Sequence, residues 1–281
     1  MPSAFVALQH ILPHQTLSRL AGRVAASEQP WLRDRLIHQF VSAYDVDMSE
    51  AAREIGQFSS FNDFFTRELK PGVRPLADAT QFVLSPADGT ISQLGEIGGG
   101  RIFQAKGRDY TVAEILGAAP DDARRFEGGQ FMTVYLSPRD YHRVHMPATG
   151  TLQSTTYLPG KLFSVNRQTA EGVDRLFARN ERLACLFDGP PGHFASVMVG
   201  AMIVAGIETV WPRRFGIHGS VPVHEDFTGA GRDLVAGQEM GRFYLGSTVV
   251  LLFEPGRIAW LDGLKAGDTL RMGEAIGRIC R

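Results

Sequence analysis

The residues best equipped for chemistry fall in three short stretches. The first is Gly241-Arg242-Phe243-Tyr244-Leu245-Gly246-Ser247-Thr248-Val249-Val250, where a Gly-Ser step opens a strongly β-prone run. Glycine adopts backbone angles closed to other residues and leaves its carbonyl uncrowded. Strain at this step, with the Ser247 hydroxyl alongside, is what an intramolecular attack on the Gly246 carbonyl requires. An ordinary turn reads the same way, so the step gains meaning only from its company. The second stretch is Ser137-Pro138-Arg139-Asp140-Tyr141-His142-Arg143-Val144-His145-Met146-Pro147, with His142 and His145 close together on a strand-to-turn segment. Histidine is the side chain best placed to move protons near neutral pH. The pair also suits a metal, but no third ligand is suggested nearby, so no metal is expected. The third is Asp88 in Ser85-Pro86-Ala87-Asp88-Gly89-Thr90. Asp-Gly is a common turn former. A carboxylate held in a turn can also fix a histidine's tautomer and stabilise its cation.

The elements that must position these residues follow from periodicity. β-Prone runs bounded by Gly and Pro predict strands over 81–84, 129–136, 150–157, 195–206, 247–253 and 257–261. Helices are predicted at 112–116 and 172–179. Pro86-Ala87-Asp88-Gly89-Thr90-Ile91 is matched by Pro147-Ala148-Thr149-Gly150-Thr151-Leu152, each a turn running into a strand. Thr149 stands where Asp88 does, so the turn alone does not require the acid. Leu264-Lys265-Ala266-Gly267-Asp268 with Gly273-Glu274-Ala275-Ile276-Gly277 resembles the strand-turn-strand pattern of lipoyl-type sandwiches. The expected fold class is α+β: a β-sandwich or barrel-like core with pseudo-repeated hairpins, preceded by short N-terminal amphipathic helices.

Residues 1–70 carry those helices: Phe5, Leu8, Ile11 and Leu12, then Leu17, Leu20 and Val24, then Leu32, Leu36, Ile37, Phe40, Val41 and Tyr44 at helical spacing. Pro13 and Pro30 divide them, and Ser60 is a candidate cap ahead of Asp63 for a third helix carrying Phe61, Phe64 and Phe65. The stripes suit a core face and a membrane-surface face equally. Arg19, Arg23, Arg33 and Arg35 outnumber Glu28 and Asp34, which favours an anionic lipid surface. Residues 71–281 form the β-rich remainder.

With 281 residues, 44% of them hydrophobic, the chain can bury a sizeable core. Its 29 basic and 30 acidic residues leave no basic excess, which argues against a nucleic-acid partner. Cys185 and Cys280 lie in no metal-binding pattern and read as buried thiols in a reducing compartment. The N-terminus lacks signal-peptide features. The longest apolar run, Val197 to Ile207, falls short of the roughly 20 residues a span needs.

Taken in order, Ser85-Pro86-Ala87-Asp88-Gly89, Tyr141-His142-Arg143-Val144-His145-Met146-Pro147 and Leu245-Gly246-Ser247-Thr248 resemble the motifs of the bacterial phosphatidylserine decarboxylases. Phe163-Ser164-Val165-Asn166 and Phe177-Ala178-Arg179-Asn180-Glu181-Arg182 match further family stretches, and the likeness runs from the first helices to about residue 280. The resemblance implies self-cleavage between Gly246 and Ser247, giving a large subunit 1–246 and a small subunit 247–281. It implies a covalent pyruvoyl cofactor made from Ser247, which forms an imine with phosphatidylserine in a membrane. CO2 is then lost to give phosphatidylethanolamine. It assigns Asp88, His145 and Ser247 to self-cleavage, with His145 as base and Asp88 as its orienter, and His142 to decarboxylation as a proton donor. The headgroup phosphate needs a cation or backbone amides. Arg139, Arg143 and Lys161 are candidates, with Phe163 and Asn166 as further substrate contacts. The expected location is the cytoplasmic face of the membrane, peripherally bound, with a homodimer of the cleaved pair as the further assembly. The sequence departs from longer family members at Trp211–Asp226 and in stopping soon after its last strand.

Three rivals fit part of the pattern. A pyruvoyl decarboxylase of a soluble amino acid shares Ser247 without needing amphipathic helices. A Ser-His-Asp hydrolase would usually hold its serine in a GxSxG elbow, absent here. A sandwich-fold lipid-binding module with no enzymatic activity rests on the repeat alone.

Overall fold

The structure, a computed structural model, describes residues 14–202, 206–211, 213–215, 221–244 and 247–280. Gly246, the residue expected before the cut, lies outside the described residues, as do Phe5, Leu8, Ile11 and Leu12.

Helices span His14–Ala25, Pro30–Tyr44 and Phe61–Phe65. Pro30 opens the second of these at a first-turn position, where its missing N–H costs nothing. Ser60 caps the third: its side chain accepts from the Asp63 amide at 3.2 Å. Ala25, Ile37, Phe58, Phe61, Phe64 and Phe65 make a separate small core. Phe40 stands edge-on to Phe61, Phe64 and Phe65 with ring centroids 5.2, 6.0 and 5.7 Å away. Leu20, Val24, Trp31 and Tyr44 remain exposed on this region.

The rest is built on one large antiparallel sheet. Its strands run, in spatial order, Val223–Asp226, Gly150–Leu158, Arg182–Gly189, Gly192–Gly200, Ser247–Phe253, Gln130–Leu136, Gly89–Glu96 and Thr269–Leu270, with Asp233–Leu234 pairing Gly150–Leu158. A four-stranded sheet (Arg213–Phe215, Ile207–Thr209, Glu239–Phe243, Arg143–His145) and a three-stranded sheet (Phe82–Leu84, Ala275–Ile279, Ile258–Trp260) supply further strands. Side chains alternate across the large sheet. Val249, Leu251, Phe253, Leu183, Phe187 and Phe194 share one cluster with Val144, Ile207, Met240 and Phe243 of the small sheet. Val250, Leu252, Ala184 and Val197 face the opposite way, against Ile102, Tyr110, Ile115, Phe163 and Phe177. The fold is α+β and sandwich-like, and among the described residues no sheet closes into a barrel.

Two predicted elements differ. The strand expected over 195–206 ends at Gly200, and 203–205 of the expected span lie outside the described residues. The helix expected over 172–179 is two short helices, Arg167–Gly172 and Leu176–Arg179. Val173 is extended and Arg175 is left-handed between them, which breaks the helical hydrogen bonds. Of the two cysteines only Cys185 is buried; Cys280 is exposed.

The sequence repeat is a structural one. Leu84 N–H donates to Pro147 O at 2.8 Å, and His145 N–H donates to Pro86 O at 2.7 Å. Glu274 O accepts from Ser85 N and Gln238 O accepts from Met146 N, each at 2.8 Å. The Asp88 carboxylate accepts from Met272 N at 2.8 Å, and the Thr149 hydroxyl accepts from Ala236 N at 3.1 Å. Two copies of turn-plus-strand therefore embrace each other through matched bonds. Gly89 at the start of the first strand has no room for a side chain: a Cβ there would sit 2.4 Å from Tyr135 O.

Phe194 is stacked between Phe187 and Phe253, with centroids 5.2 and 5.7 Å away, and is fully buried. Phe194→Ala is expected to lower unfolding free energy by about 3–5 kcal/mol in denaturant titration. Exposed Val235→Ala should change it by less than about 0.5 kcal/mol.

Candidate active site

Ser247 opens the central strand of the large sheet, opposite Leu136 on one side and Gly200 on the other. It is fully buried. Alternation with Val249, Leu251 and Phe253 turns its hydroxyl toward the sandwich interior.

The strand Gln130–Leu136 delivers its following turn to the same spot. Asp140 closes that turn by accepting from the Ser137 amide and hydroxyl, both at 2.7 Å. His142 hangs from its end and stacks on Phe65, centroids 4.1 Å apart. His142 Nε2 is 3.1 Å from Ser137 O. A carbonyl only accepts, so Nε2 carries the proton and Nδ1 presents its lone pair. That Nδ1 is 3.5 Å from Ser247 Oγ, longer than the roughly 3 Å of a well-formed bond but the right partner in the right tautomer. Burial, with the nearby Arg67 charge adding to it, pushes the His142 pKa down to about 3. His142 is therefore neutral throughout the physiological range.

His145 sits at the end of the strand Arg143–His145. Its Nδ1–H donates to Gly237 O at 2.8 Å, and its Nε2 accepts from the Tyr141 hydroxyl at 3.0 Å. Burial lowers its pKa, while the Gly237 carbonyl and the charges of Glu239 and Asp88 favour the protonated form. From the sequence, Asp88 is the orienter of His145. In the structure Gly237 O holds the ring, and Asp88 reaches it only through its field. The Asp88 carboxylate is gripped by Arg74, with Nη2 at 2.5 Å and Nε at 2.9 Å, and Arg74 also pairs with Glu50 at 2.7 Å.

The expected substrate contacts divide into committed, exposed and buried side chains, and the Phe163 backbone bonds the Asn180 side-chain amide, which also donates to the carbonyl of Gly200, the strand neighbour of Ser247. Arg143 is buried and committed: Nε donates to Thr66 O at 2.9 Å, and Nη1 pairs with Glu239 and Glu68 at 2.8 and 3.0 Å. Arg139 and Lys161 are exposed. Phe163 is buried in the outer core with Arg179 over its ring at 5.0 Å. Asn166 caps the helix Arg167–Gly172 through the Thr169 amide at 3.0 Å.

Sequence reasoning missed Arg67. It is 4% exposed, and its Nη2 donates to Arg139 O at 3.0 Å and Asp140 O at 3.4 Å, at the root of the His142 turn. Its Nε and Nη1 have no hydrogen-bond partner among the described residues. A buried guanidinium with two idle donors is costly unless an anion completes it. Its trace in the sequence is a cation two residues after the aromatic run Phe61–Phe65.

An α+β sandwich with a buried serine at the mouth of its central strand, facing a neutral imidazole, defines an enzyme-like site. Comparison with known proteins supplies the family. Residues 61–278 match the family model described as phosphatidylserine decarboxylase, and residues 4–45 match a further model described as PSD. The chain is 50% identical over 286 residues to the phosphatidylserine decarboxylase proenzyme of Ectopseudomonas mendocina, covering 97% of both chains. It is 53% identical to the protein of the same name from Bordetella pertussis, covering 97% of this chain and 93% of that one. The Azotobacter vinelandii proenzyme is 52% identical, with 98% and 97% covered. The chain belongs to the phosphatidylserine decarboxylase family.

His142 also makes stability depend on pH. Its folded pKa of about 3 lies below its ordinary 6.5, so between these values the unfolded chain binds the extra proton. Stability from this group is complete above pH ~6.5 and is lost as pH falls toward 3, at about 1.4 kcal/mol per pH unit. In a Ser247→Ala background, His142→Phe should flatten the decline in chemical-denaturation stability between pH 6.5 and 4. An unchanged slope would contradict the assignment.

Proposed function

We propose that this chain is a phosphatidylserine decarboxylase proenzyme that cuts itself between Gly246 and Ser247 and carries a pyruvoyl group made from Ser247. The observation that carries this reading is the buried Ser247 hydroxyl facing the His142 lone pair at 3.5 Å, in a chain whose full-length relatives are named proenzymes.

The Ser247 oxygen adds to the Gly246 carbonyl carbon, and the Gly246–Ser247 C–N bond breaks to leave an ester and a free amine. Loss of the Ser247 α-proton expels the Gly246 carboxylate, and hydrolysis of the resulting enamine releases ammonia and leaves a ketone. Two histidines divide the proton work by their electrostatics. His142 is nearer, but its pKa of about 3 makes it a weak base. It serves as a neutral hydrogen-bond partner for residue 247 before and after processing. Burial lowers His145 as well, but the Gly237 carbonyl, Glu239 and Asp88 offset part of that, so of the two it is the better base and accepts the proton. The turn does not need an ionisable side chain at 88, since Thr149 accepts the equivalent backbone bond in the second copy. The Asp88 charge, although paired with Arg74, still favours the His145 cation.

A ketone at position 247 supplies an electron sink for the pair left when CO2 departs. The residues around it supply the rest. Arg67 offers its idle donors to an anionic group of the headgroup, a role Arg143 cannot take while paired with Glu239 and Glu68. The exposed Leu20, Val24, Trp31 and Tyr44 suit a peripheral hold on the lipid surface at the cytoplasmic face of the membrane. Among the described residues no helix is long and apolar enough to cross a membrane.

Ser247→Ala should give one uncut chain of 30.8 kDa by intact mass spectrometry and no activity. His145→Ala should also stay uncut. His142→Ala should be cut but turn over at least about 100-fold more slowly. Normal cleavage of the serine variant would end this reading. For the membrane contact, Leu20→Glu with Trp31→Glu should reduce flotation with phosphatidylserine vesicles several-fold while leaving cleavage intact.

A further inference from the structure

At the reacting end of the large sheet lies a carboxylate the mechanism above does not use. Glu181 stands one residue ahead of the strand Arg182–Gly189, and its carbonyl accepts from Gly200 N at 2.9 Å. Gly200 in turn is paired with Ser247. Glu181, Gly200 and Ser247 therefore form one row across three strands, placing the α-carbons of 181 and 247 about 10 Å apart. Leu183, Cys185 and Phe187 alternate onto the interior face, and Glu181 continues that series, so it shares the face of the Ser247 hydroxyl. Gly200 between them contributes no side chain.

Glu181 is 5% exposed. The other carboxylates of this region are engaged: Asp88 and Glu50 by Arg74, Glu239 by Arg143 and Arg242, and Asp140 by Ser137. Glu181 pairs with no cation among the described residues, and its partner is the Tyr157 hydroxyl on the adjacent strand. On the Ser247 side the titratable neighbour is neutral His142. Burial raises the Glu181 pKa to about 7, where a carboxyl both takes and returns a proton at working pH. A buried carboxylate lacking a cation is completed by a cationic ligand. The serine headgroup brings one, its ammonium, and that ammonium must lose a proton before its nitrogen can attack a carbonyl carbon.

We propose that Glu181 is a catalytic residue that receives the substrate ammonium, takes its proton, and returns it to the product amine. This rests on the decarboxylase reading above. In the first transfer an N–H bond breaks, its electron pair stays on nitrogen, and the proton lands on a Glu181 oxygen. In the second, after water has hydrolysed the imine, the lone pair of the product amine takes that proton as a new N–H bond, and Glu181 is a carboxylate again. One proton is borrowed and one restored; the carbon that loses CO2 gains its hydrogen from a solvent proton relayed by His142, the one proton the overall reaction takes up.

The test uses the self-processed enzyme. Glu181→Gln keeps the shape and a hydrogen bond to Tyr157 but cannot carry the proton; Glu181→Asp keeps the acid. Three measurements apply: subunit masses, thermal midpoint, and the rate at which glycerophosphoserine becomes reductively trapped on the small subunit by cyanoborohydride. Glu181→Gln should be cut normally and trap substrate at least about 100-fold more slowly at pH 7. The deficit should shrink as pH rises to 9, where solvent supplies free amine, and Glu181→Asp should restore part of the rate. Wild-type trapping by the Gln variant overturns the proposal. So does a deficit equal at every pH, or an uncut Gln variant, since either assigns Glu181 to structure. If the wild-type chain itself keeps an intact Ser247, the decarboxylase reading fails, a result separable from any behaviour of Glu181.

Discussion

The structure turns on keeping polar groups dry and correctly paired at one end of a β-sandwich. Ser247, His142 and Glu181 are almost wholly removed from water, where an unpaired polar group is expensive. Partners are therefore specific: Ser247 faces His142, His142 is held by Ser137 O and Glu181 by the Tyr157 hydroxyl, and nearby His145 is held by Gly237 O and Asp88 by Arg74 and Met272 N. The same low polarity that makes these groups costly amplifies the fields among them. That is why two histidines three positions apart have different characters. Burial pushes both toward the neutral form: at His142 the Arg67 charge adds to it, while at His145 the Gly237 carbonyl, Glu239 and Asp88 offset part of it.

The sandwich supplies this environment through its repeat. The two turn-plus-strand units lock at Pro86 and Pro147, so the strand carrying His145 is tied to the turn carrying Asp88 by a backbone bond of 2.7 Å. The N-terminal helices complete the site as well as offering exposed apolar side chains. Phe65 stacks on His142, Arg67 holds the 139–140 carbonyls, and Thr66 O anchors Arg143.

Buried charges in the region divide into spent and idle. Arg74 and Arg143 have two carboxylates each, while Arg67 keeps idle donors and Glu181 has only a phenol. The substrate headgroup is itself a set of opposite charges: an ammonium, a carboxylate and a phosphodiester. A site with one unpaired cation and one unpaired acid is complementary to it in sign.

Local chemistry was legible in the sequence. Turn residues and β-prone runs placed the strand at 247–253, the cap at Ser60 and the short helix at 112–116. Motif order picked out Asp88, His142, His145 and Ser247, because those signals depend on near neighbours. Partners brought together by folding were not legible. Ser247 and His142 are 105 positions apart, and only strand pairing decides that His142, with Nδ1 bare, is the imidazole beside the hydroxyl. Tertiary packing alone engaged Asp88 with Arg74, spent Arg143 on Glu239 and Glu68, and left Arg67 and Glu181 short of partners. Residue type fixes which group can donate, accept or ionise; burial and long-range contact fix whether it is free to do so.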